Sequence, residues 1–180
     1  MSKSGVIFLM VYSLVITSCK KDNSYIIEYS TTGCFRTCPI LDIKQINNKV
    51  YFNFIKHNDK AGLFYSKLTK KQIEEIDFLV EKILDREIQK EYWSEIEDVP
   101  ATLFRLKYKN KNIESYYDDH IAPFEIDTLY RYLLSISKEG LVKTKGNPFE
   151  ISTREEVDFD TYRLPPPPPP PLDNSDLENN

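Results

Sequence analysis

Two runs of alternating side chains, each turning back at asparagine, constrain this chain more than any other feature. Ile40, Asp42 and Lys44 alternate with Leu41, Ile43 and Gln45, Asn47-Asn48 follows, and Val50 to Ile55 returns as a second β-rich run. Further on, Thr102 to Tyr108, Asn110-Lys111-Asn112 and Ile113 to Tyr117 repeat the pattern. Side chains two residues apart share one face of a strand, and a short turn pairs two such runs antiparallel. Tyr25 to Ser30 reads as a strand before the first hairpin. Leu63 to Ser66 reads as one after it, across the polar turn His57 to Gly62. The expectation is an antiparallel meander of three or four strands, then a separate hairpin.

Two segments change period. Ile73, Ile76, Leu79, Val80, Ile83 and Leu84 recur at helical spacing, and Thr69 with Gln72 has the spacing of a capping box. Phe124, Ile126, Leu129, Tyr130, Leu133, Leu134 and Ile136 form the second helical set, with Pro123 at its first turn and Gly140 as a stop. The fold class is therefore α+β: an antiparallel sheet of about five to six strands packed by two helices. The domain is expected over residues 24–152. Phe149 to Ser152 closes it as an edge strand or a packed extension. Residues 153–180 read as a disordered acidic and polyproline tail. Within it, Pro165 to Pro171 forms a polyproline II rod of roughly 20 Å, a stiff spacer or a ligand for an aromatic groove.

The first residues read as an export signal. Lys3 supplies a short positive region, and Val6 to Ile16 is apolar but too short for a spanning helix, which needs roughly 20 residues. Ile16-Thr17-Ser18-Cys19 resembles the lipobox of bacterial lipoproteins. That resemblance implies a signal peptide over residues 1–18, acylation (palmitate among the chains) of Cys19, and a lipidated tether over 19–23. Two acylation sites on one residue would hold the protein stably on a membrane, since each buried methylene contributes ~0.8 kcal/mol. The alternative is an ordinary cleaved signal with a chance cysteine. Lys20-Lys21-Asp22 is similar to the charged tethers of surface-displayed lipoproteins in Bacteroidota. Location is thus expected outside the cytoplasm, on the outer membrane, with the leaflet open.

Export changes how Cys34 and Cys38 are read. In an oxidising compartment an even pair this close most simply forms one disulfide. A tight turn through Phe35-Arg36-Thr37 can meet the required Cα separation of about 4.4–6.8 Å, with Gly33 free to take a positive φ and Pro39 fixing the exit. Two thiol readings compete. Cys-x-x-x-Cys-Pro is similar to the copper-binding loop of the thioredoxin-like copper chaperones of cytochrome oxidase assembly, where two thiolates and a distant histidine hold Cu(I). The ligands would be Cys34, Cys38, and His57 or His120, the two histidines of the chain. A dithiol redox enzyme is the other. Against both, Ile40 to Lys44 follows as a strand, whereas a thioredoxin fold places the motif at the start of a helix.

Charge and motifs exclude several classes. The formal net charge is -4 with both signs interspersed, so no field is expected to hold a nucleic acid. No Gly-x-Ser-x-Gly, His-Glu-x-x-His, P-loop or dinucleotide fingerprint occurs, and no catalytic residue or cofactor is assigned. Asp118-Asp119-His120 is read as a solvated turn rather than a metal site. Asp98 before Val99-Pro100 is read as a loop-shaping residue.

Taken together, the residues resemble an uncharacterised lipoprotein domain family common in Bacteroidota, carried as a domain of unknown function. Its signature is Cys-Phe-Gly-Thr-Cys-Pro after a first strand, then a helix, an aromatic before a loop, an Asp-x-Pro step, a hairpin and a closing helix. The matching residues are Cys34, Phe35, Thr37, Cys38, Pro39, Tyr92, Asp98, Pro100 and Pro123. Arg36 stands where the family has glycine. The resemblance spans about Ser24 to Ser137 and implies location and fold but no activity. The expected function is a lipid-anchored envelope protein acting as a binding or structural module with a disulfide-shaped loop. Its expected partners are the membrane, through Cys19, and an envelope protein or ligand of unidentified kind.

Overall fold

The structure is a computed structural model that describes residues 24–34, 37–96, 99–144 and 151–156. Its strands are β1 (Tyr25–Thr31), β2 (Ile40–Ile46), β3 (Lys49–Lys56), β4 (Gly62–Lys67), β5 (Glu91–Tyr92), β6 (Ala101–Tyr108), β7 (Lys111–Asp118) and β8 (Val142–Lys143). The helices are α1 (Lys70–Leu84), α2 (Phe124–Ile136) and α3 (Ser152–Glu156), with a 3-10 turn at Asp119–Ile121. One open sheet runs in the order β5-β7-β6-β1-β2-β3-β4-β8.

Both expected hairpins are present. The first turns at Asn47, whose φ of 54° an asparagine tolerates well. The second turns one residue earlier than read, at Lys109-Asn110, with Lys109 at φ 52°. The sheet has eight strands rather than five to six. The two unanticipated strands, β5 and β8, are two residues long each, too short for alternation to register. β5 pairs parallel to β7, with Glu91 opposite Tyr116, whereas every other pairing among the described residues is antiparallel.

Period two gives the sheet two chemically different faces. Tyr25, Ile27 and Tyr29 of β1 point inward with Ile43, Phe52, Phe104 and Leu106, all buried. Ile76, Val80 and Ile83 of α1 and Ile126, Leu129 and Leu133 of α2 close this core. Each such side chain contributes roughly 1.5–3 kcal/mol by leaving water. Tyr29 is fully buried, and its hydroxyl donates to Ile126 O at 3.0 Å, so the apolar layer carries a fixed polar tie to α2. α1 starts at the expected capping box: Gln72 N donates to Thr69 Oγ1 at 3.3 Å and Thr69 N to Gln72 Oε1 at 2.9 Å.

The outer face is polar, and a third helix covers it. Glu28, Ser30 and Asp42 are buried there, although carboxylates on a solvated sheet face would lie open. α3 lies across them and makes its contacts with β1 and β6. Residues from 153 onward were expected in a disordered tail. Instead Thr153 is fully buried and Arg154 pairs with Asp42. This segment has no helical period to read, because its side chains dock on polar groups rather than on a core. Residues 157–180, including the proline run, lie outside the described residues.

Candidate functional site

Antiparallel pairing brings five strand ends to one edge of the sheet. β1 and β7 end there, β2 and β6 begin there, and Lys56 closes β3 opposite Ile40. The loop holding Cys34 and Cys38 spans the gap between β1 and β2. The two sulfurs lie at disulfide distance, with Cα atoms 5.6 Å apart, inside the range for a bridged pair. Gly33 does not take the positive φ expected of it. Its lack of a side chain serves a close approach: an added Cβ would stand 3.3 Å from Ile40 Cδ1. Thr32 ties the loop to β6, its N–H donating to Ala101 O at 2.8 Å and its hydroxyl accepting from Ala101 N at 2.9 Å. Thr31 ties it to β2, accepting from Leu41 N at 2.9 Å.

Beneath this loop lies a cleft of about 580 Å³, within the range of small-molecule sites. Thr31, Cys38, Pro39 and Pro100 form one wall. Leu41, Phe54 and Leu134 make the floor apolar, and Asp119 and Tyr130 supply polar groups. Asn58 and Asp59 complete the β3–β4 turn side, and Lys60 and Lys138 stand on the rim. Lys60 Nζ donates to Ser137 O at 3.3 Å, joining that turn to the end of α2. Asn58 Nδ2 donates to Ile40 O at 2.8 Å and fixes the turn against β2.

Two titratable groups in the cleft are shifted. Asp119 is solvent-exposed as a residue, but partial burial of its carboxyl raises it above the usual carboxylate range. A hydrogen bond from Thr102 Oγ1 at 3.2 Å pulls the other way. Burial pushes the Tyr130 phenol well up, and the Asp119 charge adds to that. Tyr117 behind them is buried and its phenol is likewise raised, first by burial and then by Tyr130. At neutral pH the cleft thus presents the neutral phenol of Tyr130 beside one poorly solvated carboxyl, an arrangement that accepts a hydrogen bond from a donor.

The residues singled out in the sequence fall into three groups. Cys38, Pro39 and Pro100 meet on the cleft wall, and Cys34 bridges to Cys38. Thr37 is exposed on the loop. Cys19, Phe35 and Asp98 lie outside the described residues. His57 and His120 are both exposed, in separate turns, and do not join the cysteines; no group of three or more His, Cys, Asp or Glu poised to hold a metal occurs among the described residues. The acidic pair is divided. Asp118 is buried and accepts from Ser94 N at 2.8 Å and Ser94 Oγ at 2.9 Å, while Asp119 alone reaches the cleft.

Sequence reading missed Lys60, Tyr130, Leu134 and Lys138 as site residues. Tyr130 and Leu134 follow the core period of α2, and only the tyrosine's polar tip, placed four residues before a leucine on the same face, hinted at a wall. No curated protein matches this chain. The family described as a domain of unknown function (DUF6438) matches over residues 25–137, and the chain belongs to that family.

Proposed function

We propose that this protein is a lipid-anchored binding module of the cell envelope, with the cleft beneath the Cys34–Cys38 loop as its ligand site. One observation carries the reading: the cysteine loop and Pro100, far apart in sequence, form one wall of a concave, largely apolar site with polar groups on the other. The cystine acts as a rigid rim, held to β6 and β2 by Thr32 and Thr31. The ligand class that fits is small, apolar at its centre, with an anionic group for the rim lysines and a donor for Asp119.

The anchor follows from Ile16-Thr17-Ser18-Cys19, with Cys19 acylated and placing the domain outside the cytoplasm. The cleft opens at the C-terminal end of β1, the end that leads into the Cys34–Cys38 loop. A thiol-based Cu(I) or redox role would need Cys34 and Cys38 reduced and a histidine beside them.

The test is a protein-observed NMR titration of the mature chain with a panel of aryl and alkyl carboxylic acids. Shifts should cluster at Leu41, Phe54, Lys60, Tyr130 and Lys138, and Leu134→Trp, which fills the floor, should abolish them. Shifts scattered over the surface, or unchanged in the filled variant, would refute the cleft as the site.

A further inference from the structure

The outer face of the sheet holds a second set of buried polar groups that the cleft does not use. Arg154 of α3 reaches into it. Its Nε donates to Asp42 Oδ1 at 2.6 Å, and its Nη2 donates to the main-chain oxygens of Thr31 at 2.9 Å and Leu41 at 3.2 Å. Asn53 Nδ2 holds the second oxygen of Asp42 at 2.9 Å. Thr153 Oγ1 lies 2.7 Å from Ser30 Oγ, and Ser152 Oγ donates to Glu28 and accepts from Arg105. Three successive side chains of one short segment are therefore each met by a matching polar group on the sheet. That is recognition of a sequence, since a merely covering segment would leave buried carboxylates poorly compensated.

The guanidinium also grips a particular place. Thr31 and Leu41 are where β1 and β2 part to form the Cys34–Cys38 loop, and both residues line the cleft on the other side of the sheet. The Thr31 hydroxyl additionally donates toward Pro39 O at 3.1 Å. One cation on the outer face thus fixes two carbonyls whose residues shape the inner one.

We propose that the outer face of β1 and β2 is a docking site for an arginine-bearing segment, filled in this chain by Ile151–Arg154, and that docked Arg154 clamps the mouth of the disulfide loop. Displacement of this segment, by a partner or by tension on the chain beyond it, loosens the loop and the cleft wall. The clamp stands whether or not the cleft takes a ligand, because its readout is loop opening rather than binding.

Hydrogen exchange on the full mature chain tests it. Arg154→Ala should raise exchange at Thr31, Thr32 and Ile40–Asp42 by about tenfold or more while Ile76–Ile83 of α1 stays as in the parent, the mark of local opening. Reduction of the cystine by a phosphine should quicken in parallel. Arg154→Lys, which keeps the charge but loses the planar fork, should fall between. Arg131→Ala, on an exposed pair of α2, should change none of these. If Arg154→Ala fails to fold, Arg154→Lys and Asp42→Asn carry the same reading, since both keep the bulk. Loop exchange that is unchanged in these variants, or that rises in step with α1, would overturn the proposal.

Discussion

Replacing Glu28 by glutamine removes one charge from the outer face and leaves its shape intact. Glu28 is 2% exposed, accepts from Lys44 Nζ at 2.8 Å and takes a hydrogen bond from Ser152. Burial alone would raise its carboxyl, but the Lys44 and Ser152 hydrogen bonds and the Lys44 charge outweigh it and hold the group below its usual 4.5. Glutamine keeps an acceptor for both partners but loses the charge-assisted part of each bond, about 1 kcal/mol apiece. The expected loss is about 2 kcal/mol at pH 7, which in urea moves the midpoint by about 1 M. The pH dependence has a definite sign. A carboxyl lowered on folding stabilises above its unfolded value and loses that contribution as pH falls through the folded one. The gap between parent and variant should therefore hold from neutral pH down to about 4.5 and close below it. Urea unfolding followed by circular dichroism from pH 7 to pH 2 measures this. A gap under about 0.5 kcal/mol at pH 7, or one that stays constant into acid, would refute the ion-paired assignment of Glu28.

Other outcomes are equally definite. Converting both Cys34 and Cys38 to serine should cost about 2 kcal/mol at most by chain entropy, because the bridge spans only four positions; urea unfolding reads it. Asp119→Asn should stabilise slightly at pH 7, since a carboxyl raised on folding costs stability when charged; the advantage should fade as pH drops toward 3.8, as thermal melts would show. Thr69→Ala should lose about 1 kcal/mol in urea unfolding by deleting one half of the capping box, and Gln72→Ala should add a further loss, because the bond from the residue-69 N–H to Gln72 Oε1 survives the first change.

The elements with strong periods were legible in advance. Ile40–Ile46 with Lys49–Lys56 and Ala101–Tyr108 with Lys111–Asp118 announced themselves by alternation, and Ile76 to Ile83 by helical spacing. β5 and β8 were not, because two-residue strands exist only by virtue of the edges they join. α3 was hidden for a different reason. Its value lies in Ser152, Thr153 and Arg154 meeting Glu28, Ser30 and Asp42, more than a hundred residues earlier, and sequence spacing carries no trace of such pairing. The cysteine loop was visible as a motif but its setting was not. That Cys38, Pro100 and Tyr130 line one cleft depends on the register of β1 with β6, which pairs Thr31 with Thr102. Gly33 shows the same limit: the glycine was marked as special, while the reason, contact with Ile40, is tertiary.

The most direct measurement is the intact mass of the protein extracted from membranes and alkylated without reductant. The expected species is a chain beginning at acylated Cys19, with Cys34 and Cys38 both unreactive because they are bonded to each other. A chain retaining Met1 without lipid would contradict the anchor. Two alkylated cysteines would contradict the disulfide-rimmed cleft and favour thiol chemistry at the loop.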